Sequence, residues 1–306
     1  MDTQQKKLAI TIGDTAGVGA EVILKWATEN PHLHDVVEVI AHKDFLDKLP
    51  NSISKVKVGS DDYKAIAGSP DEEGAKIAFD ALELSAKGCQ DGKYRAVITA
   101  PISKFQMKKV GFDFAGQTEF FADRWGGTPV MAFAGKKLLL SLVTWHEPLR
   151  DVPNSIDEAK ITRAVESANE LAKKIRNIGN PRIAVCGLNP HAGEDGILGT
   201  EERDVIDPIL DKLRAEKYPN LSKALPPDTV FERTLKGEFD SIVSMYHDQG
   251  LAPLKALEFD CAVNVSMNLK FLRTSPDHGT GFSIAGKGIA SANSFASAVE
   301  LALKLT

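Results

Sequence analysis

Short apolar segments alternate with amphipathic helical patterns along almost the whole chain of 306 residues. Apolar runs predict strands at residues 8–12, 36–41, 96–99, 130–133, 138–144, 183–186, 242–246 and 262–265. Apolar residues recur at helical spacing over 75–86 and 161–175, and a closing helix is predicted at 291–304. Residues 219–228 are polar and irregular, which favours a surface loop. This alternation predicts an α/β fold with a mostly parallel sheet covered by helices on both faces.

Composition narrows the class of protein. The chain is 43% hydrophobic with a formal net charge of -5, which predicts a large core, divided into two lobes, and argues against a nucleic-acid partner. Cys89, Cys186 and Cys261 form no paired motif and read as reduced core residues. No signal peptide and no apolar run of about 20 residues is visible, so we expect a cytoplasmic protein without a membrane partner.

Three histidines each follow a strand-like run. Residues 138–145 lead into His146, 183–190 into His191 and 241–246 into His247. Ligands gather at the carboxyl ends of strands in α/β sheets, and neutral imidazole is a common ligand of catalytic metals. Any one of them could be a hydrogen-bonded structural histidine. The coincidence of three histidines, each in a turn rich in Gly, Pro or Asp, favours a metal-assisted enzyme. Its metal would keep coordination positions open for substrate.

Several motifs suit an anionic ligand but leave a structural alternative open. The turn at residues 13–21 follows a strand and opens a helix, so it serves either close ligand approach or a tight turn. Thr99, Ser103 and Lys104 either meet an anionic substrate or cap a helix. Thr118 either binds an anion or acts as an N-cap.

The most specific motifs are residues 188–196 and 245–250, where a histidine, an acid or amide and a glycine share a few positions. Asp248 could orient an imidazole or act as a general base. Lys255, Asn264 and Arg273 could hold a phosphate or carboxylate, although Lys255 and Arg273 could instead be ordinary solvated charges. Residues 273–288 interleave glycines with polar residues, which predicts a ligand loop.

Taken together, these segments resemble the 4-hydroxythreonine-4-phosphate dehydrogenase family, from the 13–21 turn to the C-terminal helix. The three histidines match the family's metal ligands. The positions that match its substrate-binding residues are Gln117, Thr118, Lys255, Asn264 and Arg273. The run from 278 to 288 is similar to the adenosine-binding loop of isopropylmalate and isocitrate dehydrogenases, which implies cofactor contacts from Asp277, His278, Gly279, Thr280, Ser283 and Gly286.

The resemblance implies two α/β/α lobes, like those of isocitrate and isopropylmalate dehydrogenases. Residues 1–125 with 270–306 would form the cofactor-side lobe, and 126–269 the lobe for metal, substrate and dimerisation. It implies a homodimer with shared active sites, each in an interlobe cleft. The activity it implies is oxidation of 4-phosphooxy-L-threonine at C3 by NAD or NADP with a divalent metal (Zn, Co or Mg). Decarboxylation to 3-amino-2-oxopropyl phosphate follows, with Asp248 and Lys255 as the catalytic residues.

The chain departs from the family pattern at four positions. Gln117 stands where a relative has His, so it can donate a hydrogen bond but carries no charge. Ser283 is neutral where related enzymes have an acid for NAD or a base for NADP, and we expect NAD because no positive charges cluster there. Thr15 and Ala20 replace prolines, which should loosen the turn.

Other functions fit parts of the pattern. A paralogue acting on 4-phospho-D-threonate or 4-phospho-D-erythronate would share these motifs, and a non-phosphorylated cyclic diol is a further substrate of the wider family. A metal-dependent hydrolase needs the histidines but not the loop at 277–288. A metal-stabilised binding protein would keep the fold without turnover.

Overall fold

The computed structural model describes residues 6–306, and these divide into two compact units. One comprises the described part of Met1–Pro129 together with Val263–Thr306, and the other is Val130–Ala262. The boundaries predicted from the sequence lie at 125/126 and 269/270 instead. Residues 263–269 belong with the first unit because they form a strand that pairs with the strand following it. The functions assigned to the two lobes stay predictions.

Eleven strands are formed by the described residues: β1 Lys7–Thr11, β2 Val37–Ala41, β3 Ser54–Lys57, β4 Tyr94–Thr99, β5 Gly127–Ala134, β6 Leu139–Leu142, β7 Ile183–Cys186, β8 Leu221–Leu225, β9 Ser241–Ser244, β10 Val263–Leu269 and β11 Leu272–Pro276. In the first unit the order is β3-β2-β1-β4-β11-β10, and only β10 runs antiparallel to its neighbour β11. In the second it is β5-β6-β9-β7-β8, and only β5 and β6 pair antiparallel.

The α-helices fill most of the intervals between strands. They are α1 Gly19–Glu29, α2 Lys43–Leu46, α3 Glu72–Gln90, α4 Lys104–Lys109, α5 Gln117–Trp125, α6 Val152–Ser155, α7 Glu158–Arg176, α8 Asp207–Glu216, α9 Pro227–Leu235, α10 His247–Glu258 and α11 Asn293–Leu305. Shorter helical turns occupy Pro31–Val36, Leu149–Asp151, Pro190–Gly196 and Glu202–Ile206. The predicted α/β class is confirmed, as are the helices inferred from apolar spacing. No helix over residues 6–306 is long and apolar enough to cross a bilayer.

The predicted surface loop at 219–228 is wrong. Residues 221–225 form β8, which pairs in parallel with β7, and α9 begins at Pro227. β3 was also missed. Both strands lie at the end of a strand order, so each is only partly buried and its sequence lacks the continuous apolar run of a central strand.

An aromatic cluster packs α5 against the rest of the first unit. Phe120 stacks on Phe112 with ring centroids 5.7 Å apart, and Phe121 lies 4.3 Å from Trp125. Phe120 and Phe121 are fully buried. Because these rings anchor the middle and end of the helix, its first turn, with Gln117 and Thr118, has a defined position.

Candidate active site

His146 and His247 come together because their strands are parallel neighbours. β6 and β9 pair, and the pairing continues past the strand ends, where Thr144 N donates to Met245 O at 3.1 Å and Thr144 Oγ1 donates to the same oxygen at 2.7 Å. The two chains therefore leave the sheet side by side. The imidazole centroids of His146 and His247 are 5.8 Å apart.

The local settings of these two histidines differ from the prediction that each ends a strand. β9 stops at Ser244, and His247 is the first residue of α10. His146 lies four residues beyond β6, with a φ of 53°. His247 Nδ1 lies 2.7 Å from Asp248 Oδ1, so an ionised Asp248 keeps the ring proton on Nδ1 and leaves the Nε2 lone pair for a ligand. This contact matches the orienting role considered for Asp248.

A cleft of about 470 Å³ opens beside the two rings. Apolar surface comes from Trp145, Leu149 and Val152, and polar groups come from both histidines and Asp248. A concave, partly apolar wall with a few polar groups is the usual form of a small-molecule site.

His191 is placed apart from this pair. It lies in the turn Pro190–Gly196, where the six consecutive residues 191–196 have positive φ, and its Nδ1 is 3.2 Å from Glu194 Oε2. That backbone path turns the imidazole toward Glu194. Within residues 6–306 of one chain, no three His, Cys, Asp or Glu side chains form a group able to hold a metal ion. The structure thus brings together two of the three predicted ligands.

Gln249 connects the segment that leads to His247 with the segment that leads to His191. It was not among the residues predicted from the sequence. Its Oε1 accepts from Met245 N at 2.7 Å, and its Nε2 donates to Gly187 O at 2.7 Å. The side chain is buried. Both ends of one carboxamide are used, so this residue sets the spacing between the start of α10 and the segment that leads to His191. The signal was an uncharged polar residue inside the Tyr-His-Asp-Gln-Gly motif.

The turn that carries His191 is built around a buried acid, Glu202. This residue too was not predicted from the sequence. Glu202 Oε1 accepts from Asn189 N at 2.7 Å, and Oε2 accepts from Asn189 Nδ2 at 2.9 Å. Glu201 accepts from the same amide at 2.7 Å. Hydrogen bonds from its own backbone N–H and from Asn189 lower the pKa of Glu201. These acids hold the turn in its left-handed conformation.

Lys255 lies on α10, the helix that begins with His247. Eight residues separate them, which is about 12 Å along a helix axis. Its side chain is half-buried. One helix therefore carries a predicted metal ligand and a predicted substrate residue.

In the first unit, Arg273 forms a buried polar cluster. Its Nε and Nη2 donate to Thr99 Oγ1 at 3.0 and 2.8 Å, and its Nη1 donates to Asn264 Oδ1 at 2.9 Å. Burial lowers the pKa of Arg273 to about 10, although the negative charges of Glu119 and Asp277 act to raise it. The guanidinium therefore remains charged at neutral pH, and for Arg273 the solvated-charge alternative is wrong.

The start of α5 corrects one prediction. Gly116 is the N-cap residue, whereas Thr118 lies inside the helix and its hydroxyl pairs with Ser266 Oγ at 3.0 Å. Thr118 is therefore not an N-cap. Gln117 Nε2 donates to Ala100 O at 3.2 Å, which fixes the orientation of the carboxamide. Before α4, the capping alternative holds for Ser103, whose hydroxyl accepts from a first-turn N–H.

The predicted cofactor residues lie on an irregular loop between β11 and α11. His278 Nδ1 and Gly279 O are 2.9 Å apart, Ser283 and Gly286 are exposed, and Asp277 is half-buried. The loop rests on the 13–21 turn, because Thr280 O accepts from Val18 N at 2.8 Å.

The 13–21 turn itself is tied down. Thr15 Oγ1 and Tyr63 OH are 2.7 Å apart, a contact that proline could not make, so the expected loosening is offset. Burial raises the pKa of Tyr63 to about 12. Burial also raises the pKa of Asp14, whose Oδ1 accepts from Ala16 N at 3.1 Å.

The whole chain has known relatives. Residues 9–302 match the family described as "Pyridoxal phosphate biosynthetic protein PdxA". A 4-hydroxythreonine-4-phosphate dehydrogenase from Sulfurihydrogenibium sp. is 39% identical over 318 residues, covering 98% of each chain. The crystal structure of a 4-hydroxythreonine-4-phosphate dehydrogenase from Klebsiella pneumoniae is 31% identical with a TM-score of 0.85, covering 98% of this chain and 99% of that one. In fold alone, isocitrate dehydrogenase from Methylococcus capsulatus is similar, with 13% identity, a TM-score of 0.54 and coverage of 98% and 85%. The predicted likeness to that fold is confirmed.

Proposed function

The chain belongs to the pyridoxal phosphate biosynthetic PdxA family, and we propose that it oxidises 4-phosphooxy-L-threonine at the C3 hydroxyl with a nicotinamide cofactor. The observation that carries this proposal is a match over nearly the full length to dehydrogenases named for that substrate. The pair of imidazoles beside a partly apolar cleft supports it.

The reaction balances with one oxidant. Hydride leaves C3 for the nicotinamide and the hydroxyl proton passes to a base, giving a ketone at the carbon β to the carboxylate. Such a β-keto acid loses CO2, because the electron pair of the broken bond is delocalised onto the new carbonyl. Protonation of the resulting enolate gives 3-amino-2-oxopropyl phosphate. The protein has to hold the carboxylate and phosphate, orient C3 toward the nicotinamide and accept one proton.

Imidazole donors fit a divalent ion such as Zn²⁺ or Co²⁺ better than Mg²⁺, which prefers oxygen ligands. We assign His146 and His247 to two positions. His191 would complete the set from a second copy of the chain, since its side chain is two-thirds exposed and separate from the pair. The site would then exist only in a homodimer. When bound, such an ion supplies Lewis-acid polarisation of the alcohol oxygen.

Asp248 has two roles in this proposal. Its Oδ1 holds the His247 ring through Nδ1, which favours metal binding through Nε2. Its Oδ2 makes no hydrogen bond with the described residues, and the side chain is 85% exposed. We assign the hydroxyl proton to this carboxylate.

The anionic ends of the substrate are assigned to the remaining polar residues. Arg273 supplies a permanently charged guanidinium whose direction is set by Thr99 and Asn264. Thr118 and Gln117, in the first turn of α5, suit a phosphate because the amino end of a helix favours anions. Lys255 supplies a second charge on the histidine-bearing helix.

The loop that includes Asp277, His278, Gly279, Thr280, Ser283 and Gly286 is assigned to the nicotinamide cofactor. Ser283 is exposed and neutral, so it offers hydrogen bonds but no charge and leaves the choice of nucleotide open. We propose NAD because no positive charges cluster there for the additional phosphate of NADP.

Turnover with defined substrates tests the proposal. Metal-loaded enzyme is given 4-phosphooxy-L-threonine or 4-phospho-D-threonate, each with NAD and with NADP, and reduced nicotinamide is followed by absorbance. Preference for the amino acid with NAD is expected, and preference for the threonate would move the chain to sugar-acid breakdown. His247→Ala should abolish turnover, whereas the exposed His32→Ala is the matched control. Absence of nicotinamide reduction with every pair, by a protein that binds metal, would refute the dehydrogenase assignment.

A further inference from the structure

The carboxylate of Glu21 joins α1 to the far end of the cofactor loop. Oε2 accepts from Gly286 N at 2.8 Å, and Oε1 accepts from Ala290 N at 2.9 Å. Hydrogen bonds to an ionised acceptor are about twice as strong as neutral ones. Glu21 lies in the first turn of α1, where the helix dipole also favours a negative charge. Each carboxylate oxygen therefore holds one backbone N–H of the loop.

A second contact joins the near end of the loop to the same turn. Val18 N donates to Thr280 O, and a Cβ added at Gly17 would come within 2.8 Å of that oxygen. Farther along, a Cβ at Gly286 would lie 2.7 Å from Ala67 Cβ. The loop is seated so closely that two glycines are required for the approach.

Few other hydrogen bonds fix the loop. No helix or strand is formed by residues 277–292. Within the loop, Ile284 N and Ala285 N donate to Gly281 O and Lys287 N donates to Ile284 O, and at its start Asp277 N donates to Ser294 Oγ at 3.2 Å. Gly281, Gly286 and Gly288 have positive φ. Glycine-rich backbone loses much conformational entropy on ordering, so external hydrogen bonds decide how often this conformation is populated.

We propose that Glu21 is a positioning residue that latches residues 277–290 into one conformation and thereby sets the affinity for the nicotinamide nucleotide. The inference rests on the proposed function, because that function gives the loop its ligand. The apparent dissociation constant is the intrinsic constant divided by the fraction of molecules with a competent loop. Removing the latch lowers that fraction before any nucleotide contact changes.

Three variants separate the latch from general effects. Glu21→Ala removes both acceptors. Glu21→Gln keeps one carbonyl oxygen as an acceptor and should therefore retain part of the latch. Glu29→Ala is the matched control, since this exposed glutamate lies on the same helix. Hydrogen exchange of peptides covering 277–290 is measured without nucleotide, with peptides from β1 as the folding control. Dissociation constants for NAD and NADP are then measured by titration calorimetry.

For Glu21→Ala we expect faster exchange confined to the loop and a dissociation constant raised about tenfold. Under turnover, KM for the nucleotide should rise by a larger factor than kcat falls. Exchange as in the wild type would refute the latch, and faster exchange with unchanged affinity would refute its control of binding. A wild-type protein that binds neither nucleotide would refute the proposed function, and with it that control, whereas the exchange result would still decide whether Glu21 orders the loop.

Discussion

Replacing Thr99 by valine removes one hydroxyl from the buried polar cluster around Arg273 in the first unit. Thr99 Oγ1 accepts from both Nε and Nη2 of Arg273, and both residues are buried. Valine has nearly the same shape and the same branching at Cβ, so the strand propensity of β4 is kept. Of these three hydrogen bonds, the guanidinium then retains the one to Asn264 Oδ1 at 2.9 Å.

The magnitude follows from what is left unpaired. A hydrogen bond to a charged group contributes about 1.5–3 kcal/mol, and a buried donor without a partner costs a similar amount. Two donors share one acceptor here, so we expect a loss of about 2–3 kcal/mol in the free energy of unfolding. At about 2.1 cal/mol/K of unfolding entropy per residue, this corresponds to a fall in Tm of about 3–5 °C for this chain. Thr99→Ser is the matched control: it keeps the oxygen and loses one methyl group, which costs about 1 kcal/mol.

Thermal unfolding of the two variants, followed by circular dichroism beside the wild type, measures this difference. Valine should lower Tm more than serine does, and KM for the substrate should rise with valine because Arg273 is less firmly directed. If serine destabilises as much as valine, the methyl group and not the hydroxyl stabilises the cluster, and the reasoning fails.

Three further outcomes are expected. His191→Ala should lower the metal content measured by mass spectrometry and abolish turnover while the protein still folds; normal turnover would remove this residue from the site. Gln249→Glu places an oxygen against Gly187 O and so displaces the start of α10, which carries His247; metal affinity should fall about tenfold or more in a metal titration, and an unchanged affinity would show that the bridge does not position His247. Asp14→Asn should raise Tm at pH 7 and leave it unchanged below pH 3.8. Because the pKa of Asp14 is raised in the folded protein, the unfolded chain loses this proton first as pH rises, which penalises folding at neutral pH. Equal shifts of Tm at both pH values would contradict this.

The histidines show what sequence could and could not predict. Apolar runs before His146 and His247 correctly predicted strands, because buried strands carry a continuous apolar signal. The pairing of these two strands was not predictable, since β9 lies beside β6 although β7 and β8 separate them in the sequence. Non-local pairing decides which strand ends meet, and a pattern within one segment carries no information about it.

The turn at His191 shows a second limit. The glycines at 193 and 196 and the proline at 190 correctly predicted a turn. Ala192, Glu194 and Asp195 nevertheless adopt positive φ without being glycine. Such a conformation costs energy in an L-residue and persists only where surrounding contacts fix it, here those of Asn189 with Glu202. The contact partners come later in the chain, so the direction of the His191 ring could not be read from the motif.

The glycine-rich turn at 13–21 bears on where an anionic group can bind. Three of its backbone amides are already used: Ala16 N donates to Asp14 Oδ1, Gly17 N to Asp14 O and Val18 N to Thr280 O. A phosphate bound to these three amides would have to displace a buried carboxylate and the seated loop. Gly17 is required by the close approach of the loop, whereas Gly13 and Gly19 are required by the close approach of Pro101 O and Ile12 O. We therefore keep the proposal that Arg273 and the first turn of α5 bind the anionic group, since a buried positive charge and a helix amino end belong to the same unit there.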